Sequence, residues 1–204
     1  MVYIKKRSEP QNLTYYRLST PNADYDGMGT DIKDDIRANM LQEQGSLCAY
    51  CMGRVTKENI TIEHWIPQGD NRALDLDYRN MLGVCPGVLL EQKTCGNLRG
   101  KKALTINPLS ESTISTIYYS WDGSIKSSES DINNDLDKTL NLNADLLKAN
   151  RKQALVVIEK ELQRVKADGS WKALVKQYIE KISKSSVKRE YYGFLLYFLN
   201  RKAR

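Results

Sequence analysis

Four cysteines and a single histidine carry most of the chemistry that these 204 residues offer. Cys48 and Cys51 are separated by two residues, and Cys85 and Cys95 by nine. A C-x2-C pair lets two thiolates bind one tetrahedral ion from a single turn, and a later pair completes the coordination sphere. A sphere filled by four sulfurs holds metal for structure and not for water activation. Soft thiolates and tetrahedral geometry select zinc. The longer spacing of the second pair requires residues 86–94 to bulge out between ligands. The competing reading is four unrelated reduced cysteines buried as small hydrophobes. That they bracket the only histidine favours a metal site.

His64 follows Glu63 near the end of a β-branched, alternating stretch, residues 60–66, that reads as a strand stopped by Pro67. Alone, a Glu-His pair on a strand is more often a satisfied core histidine than a catalytic one.

The elements that must position these residues follow from pattern. Thr30 as N-cap, Asp31, Asp34 and Asp35 in the first turns, and Ile32, Ile36 and Met40 at helical spacing predict a helix over 31–44, ended by Gly45. Residues 48–53 read as a tight knuckle that forms a hairpin with the strand through residues 52–59. A short helix over 97–103 is weakened by Gly100. Residues 1–29, rich in turn formers, read as an extended arm with at most a short strand, lying over another part of the fold. Beyond Pro108 the apolar positions Leu140, Leu142, Leu146 and Leu147, then Leu155, Val156, Ile158, Leu162 and Val165, predict amphipathic helices, with two more near 170–183 and 187–201. The aromatic run 191–199 is apolar nearly all round, which favours core over partner interface. The class is α+β, mainly α, with three regions: an arm and helix (1–45), the cysteine-histidine region (46–108) and a basic helical region (109–204).

Four blocks stand in the order of the HNH endonucleases: Cys48-x2-Cys51, Ile62-Glu63-His64-Trp65-x-Pro67, Asp77-Tyr78-Arg79-Asn80-Met81-Leu82-Gly83-Val84-Cys85, and Cys95-Gly96-Asn97-Leu98-Arg99-Gly100. Residues 45–108 thus resemble that family. More narrowly, the stretch from Asn80 to Cys85 and the tail Arg99-Gly100-x-x-Ala-Leu-Thr-Ile-Asn107-Pro108 are similar to the HNH nuclease subunit of Septu-type and retron-associated anti-phage defence systems. The resemblance implies a ββα-metal module with a structural zinc, DNA as substrate and an ATPase partner that gates cleavage. It implies Glu63 as ligand of a catalytic divalent ion, His64 as general base and Asn80 as the brace of the hairpin loop. The sequence departs from the family after the last cysteine. Gly96 stands where many members have His, Asn or Asp, so either Asn97 reaches the metal by a register change or Glu63, water and phosphate oxygens complete the site.

The residue types suit that chemistry. A neutral imidazole with an ordinary pKa of about 6.5 can take a proton from water at pH 7. Mg²⁺ or Mn²⁺ on the oxygens of Glu63 and Asn97 would stabilise charge developing on a phosphate. Arg99, Lys101 and Lys102 are candidate phosphate contacts, with plain surface solvation as the alternative for the lysines.

Composition bounds the rest. No apolar run approaches the roughly 18 residues of a membrane span, and the first ten residues lack the apolar stretch of a secretory signal. A cytoplasmic protein is expected. The net charge is +6, but residues 147–204 hold fifteen Lys and Arg against five Asp and Glu. Such a block attracts polyanions, or it is the solvated face of Lys-rich helices. The rival function is a catalytically weak zinc-binding module that binds nucleic acid or serves as an adaptor. Gly96 is its best support.

Overall fold

The strand that carries the histidine pairs with a segment well downstream of the cysteine knuckle. In the computed structural model, which describes residues 1–165 and 170–204, β1 (Thr61–His64) runs antiparallel to β2 (Met81–Val84). Thr61 lies opposite Val84 and His64 opposite Met81. The hairpin expected between the knuckle and β1 is therefore corrected: the knuckle closes on itself through a lone bridge between Leu47 and Arg54. All four β2 residues are buried. Gly83 is small enough to admit the buried Gln44 amide, which donates to Gly83 O at 2.7 Å and accepts from Gly83 N at 2.8 Å.

Residues 65–80 connect the strands through two short 3₁₀ turns, each started by a side chain: Asn71 accepts from Ala73 N and Asp77 from Arg79 N. Beyond β2, the predicted bulge is a small ribbon, β3 (Val88–Leu89) with β4 (Gln92–Lys93). Gly87, with φ of +68°, allows Thr94 N to bond Gly87 O at 2.7 Å and so closes that ribbon. The closing helix α3 (Cys95–Arg99) begins earlier than expected and stops where Gly100 takes φ +57°.

The N-terminal reading needs one correction. Residues 1–29 contain a helix, α1 (Gln11–Ser19). Its amphipathic signal is weak, and tertiary contacts hold it: Leu13 is fully buried, Arg17 pairs with Glu9 at 2.6 Å, and Asn12 reaches Asp35. Ahead of it, Ile4 N bonds Pro108 O at 2.9 Å, so the extended start does lie over another segment. Helix α2 (Thr30–Glu43) buries Ile36 and Met40 as predicted, but Thr30 is its first residue and Gly29 takes the cap position.

The last third adds α4 (Glu111–Ser115), a ribbon of β5 (Ile117–Tyr119) and β6 (Ile125–Ser127), α5 (Ser130–Asn134), α6 (Asp145–Arg164), α7 (Trp171–Lys184) and α8 (Tyr192–Lys202). The β5–β6 ribbon was not predicted. Leu140 and Leu142 are buried, but in the connection before α6 and not on a helix; a π-helical turn, Asp135–Thr139, precedes them. Val156 and Val165 are exposed. The aromatic run of α8 is core: Phe194, Leu195, Phe198 and Leu199 are buried, with Phe194 edge-on to Tyr119 at 5.4 Å. No helix among the described residues is long and apolar enough to cross a membrane.

Candidate metal centre and adjoining cleft

The knuckle brings Cys48 and Cys51 within one turn, helped by Cys48 N bonding Gly53 O and by Met52 at φ +64°. Cys85 leaves the end of β2, and Cys95 opens α3, anchored by its amide to Leu140 O at 2.9 Å. The four sulfurs lie within 4.8 Å of one another, with Cys48 to Cys95 at 3.9 Å and Cys51 to Cys85 at 3.8 Å. A tetrahedral ion with metal–sulfur bonds of about 2.3 Å has sulfur–sulfur edges of about 3.8 Å. The cluster can hold such an ion with little movement. Burial disfavours the Cys48 thiolate, yet hydrogen bonds from the other three thiols pull Cys48 well below the usual thiol range. Hydrogen bonding to Cys48 in turn pushes Cys51 and Cys95 well above it. One buried thiolate thus suppresses ionisation of its neighbours, and a cation shared by all four removes that conflict.

Beside the cluster, β1, the 65–80 connection and the end of α3 enclose a cleft of about 320 Å³. Its lining includes Glu63, His64, Asp75, Asp26, Arg72 and Lys101. The His64 ring is buried, edge-on to Tyr25 at 4.8 Å, with Nε2 2.9 Å from the Asp75 carbonyl. A carbonyl only accepts, so Nε2 carries the hydrogen and Nδ1 keeps its lone pair. Burial lowers the His64 pKa below the ordinary 6.5, opposed by that hydrogen bond. The imidazole is neutral at pH 7.

Asn80 sits where the connection returns to the sheet. Its Oδ1 accepts from Ile66 N at 2.7 Å, its Nδ2 donates to Ile66 O at 3.0 Å, and its carbonyl accepts from Trp65 N at 2.8 Å. These bonds fix the chain directly after His64.

Arg99 is not a surface group. It is 1% exposed, and its guanidinium donates to Glu63 Oε1 at 2.6 Å, the Tyr50 hydroxyl at 3.2 Å, His64 O at 2.8 Å, Trp65 O at 2.5 Å and Lys102 O at 2.8 Å. The expected phosphate contact is corrected to an internal hub, because the guanidinium is buried and turned onto five acceptors within the protein. Burial raises the Glu63 carboxyl above the usual range, and Arg99 opposes the shift. Arg99→Met, which leaves Glu63 unpaired and the carbonyls without donors, should cost about 3–5 kcal/mol in a urea titration. Arg99→Lys should rescue little of it, since an ammonium with three donors cannot span that fork. A loss under about 1 kcal/mol for Arg99→Met would remove the hub role.

Gly96 and Asn97 divide the remaining expectation. A Cβ at position 96 would lie 2.8 Å from Glu63 Oε2, so the glycine makes room for that carboxylate. Asn97 is exposed and turns away, its Nδ2 donating to Pro86 O at 3.2 Å; it is not part of the cleft lining. Lys101 lines the cleft, whereas Lys102 is exposed outside it. In the basic block, Arg151 is buried, and Lys148, Lys184, Arg189 and Lys202 pair with acidic neighbours. Sequence reasoning missed Asp26, Arg72 and Asp75. Asp26 stood in a turn and the other two in an irregular stretch, with no spacing to mark them. No protein-family model matches the chain, and no curated protein matches it.

Proposed function

We propose that this chain is a metal-dependent endonuclease of the HNH type that hydrolyses DNA phosphodiester bonds and carries a structural zinc on Cys48, Cys51, Cys85 and Cys95. The observation that carries the reading is His64 in a polar cleft beside the tetrathiolate cluster, its Nε2 tied to a backbone carbonyl and its Nδ1 left as an acceptor. His64 takes the proton from an attacking water, and Glu63 Oε2 is the oxygen left after Arg99 claims Oε1. A divalent cation bound in the cleft supplies charge stabilisation at the phosphate. Lys101 and Arg72 line the same cleft and supply positive charge where substrate phosphates enter. The Asn80 bonds hold the backbone after His64, and so the ring, in place. The narrower assignment, effector subunit of a bacterial defence complex gated by an ATPase, rests on the sequence resemblance.

The rival reading, a zinc-binding nucleic-acid or adaptor module without catalysis, is favoured by one observation: Arg99 occupies half of the carboxylate that would bind the catalytic ion. Plasmid nicking by the purified chain in Mg²⁺ or Mn²⁺, with and without EDTA and with and without the ATPase, separates the two. DNA binding with no metal-dependent nicking under any of these conditions would leave the rival standing.

The neutral imidazole is the active form. Its pKa is lowered by burial, and a nearby cation lowers it further. The kcat/KM profile should therefore be flat through pH 7 and fall only as pH drops through an inflection below 6.5. An acid limb centred above that value would take His64 out of the base role.

A further inference from the structure

Asn97 points out of the cleft, and Gly96 has no side chain, so α3 supplies no ligand to a cation there. The opposite wall does. Asp75 is 7% exposed, lines the cleft with Glu63 and His64, and has an oxygen, Oδ1, buried with no hydrogen-bond partner among the described residues. A buried carboxylate oxygen left unpaired is strongly unfavourable, and a cation or water in the adjoining polar cavity would satisfy it. The residue is held in place, because its carbonyl receives His64 Nε2–H at 2.9 Å. Asp26 reaches the same cleft from the segment between α1 and α2, next to the Tyr25 ring that packs on His64. Arg72 and Lys101 also line it, and among the described residues neither forms an ion pair that would neutralise Asp75.

We propose that the cleft binds one hard divalent cation, of the Mg²⁺ or Mn²⁺ class, through the Asp75 carboxylate and Glu63 Oε2, with Asp26 at the mouth adding negative charge and α3 contributing no side chain. Two carboxylate oxygens suffice for such an ion, which keeps several waters and exchanges them for phosphate oxygens. The assignment deepens the nuclease reading and rests on it for its purpose, but its test does not depend on cleavage.

Mn²⁺ binding to the zinc-loaded full chain, followed by electron paramagnetic resonance of the free ion, should weaken at least about tenfold in Asp75→Asn. Asn97→Ala should bind as the wild type does. His64→Gln, whose amide can still donate to the Asp75 carbonyl, should keep Mn²⁺ binding while losing cleavage, which separates the metal site from the base. Because Asp75→Asn could unfold the loop, Mn²⁺-soaked crystals of the wild type give a second readout. An anomalous peak bonded to an Asp75 oxygen supports the site. Unchanged Mn²⁺ affinity in a folded Asp75→Asn, no peak in the cleft, or a peak held by Glu63 and Asn97 without Asp75 overturns it. Mn²⁺ bound at Asp75 in a wild-type chain that cuts no nucleic acid would retire the nuclease reading and leave the metal site in place.

Discussion

On the proposed nuclease reading, His64→Ala should lower DNA cleavage by about 10²- to 10⁴-fold, the range a positioned general base supplies. Alanine also leaves the Asp75 carbonyl without its donor and opens a gap against Tyr25, so a modest stability loss of about 1–3 kcal/mol accompanies it. The loss of rate has to be told apart from that loss of stability, and His64→Gln does so. The Gln amide can donate to the same carbonyl, but it has no basic nitrogen. The Gln variant should melt close to the wild type, hold zinc stoichiometrically and remain as inactive as the alanine variant. Single-turnover cleavage in Mn²⁺, on protein freed of host nucleases, is the measurement. A Gln variant that cuts within about tenfold of wild type would show that the imidazole is not the base.

Stripping the metal proposed for the four-cysteine cluster should have the larger effect on the fold. Structural zinc sites contribute about 10–16 kcal/mol of apparent binding free energy in small metal-folded domains, comparable with the whole stability of an ordinary domain, about 5–15 kcal/mol. Here the loss would not stay local. Tyr191 N bonds Met52 O at 2.8 Å, Gly193 N lies 3.3 Å from Met52 Sδ, and the Arg54 guanidinium donates to Lys188 O at 2.5 Å. The approach to α8 is thus seated on the cysteine knuckle, and Cys95 is pinned to the connection before α6. Chelation under reducing conditions, or Cys48→Ser, should abolish the cooperative thermal melt and remove much of the helical circular dichroism, including that of α8. A metal-free chain that melts cooperatively at an unchanged temperature would reduce the cluster to an ornament of an already stable core.

The parts of this arrangement legible in the sequence were those with short-range signatures. The cysteine spacing gave the four-sulfur cluster, the periodicity of Ile36 and Met40 gave α2, and the β-branched run gave β1. The partner of β1 was not legible, because register across a sixteen-residue connection is set by side chains such as Asn80 and Gln44 that meet only after folding. Helix α1 stayed hidden because Leu13 is its one buried residue, too few for a stripe. Arg99 was misread for a related reason: a basic residue beside a lysine pair reads as surface, and only the tertiary fold reveals five acceptors converging on it. Asp75 carried no local mark at all. Its significance comes from the burial of one oxygen, which no sequence pattern encodes.

The Arg99 fork has a consequence for how a substrate is received. One guanidinium ties the carbonyls after β1 to the end of the closing helix and to the carboxylate between them. Opening the hairpin against α3 would break these bonds together, in a place water reaches poorly. The floor of the cleft is therefore set during folding, and on the proposed reading adjustment to an incoming strand falls to lining residues outside the fork, such as Gln68, Gly69 and Arg72. A ligand entering the pocket would meet a mould already cast, with ordering left to the loop above it.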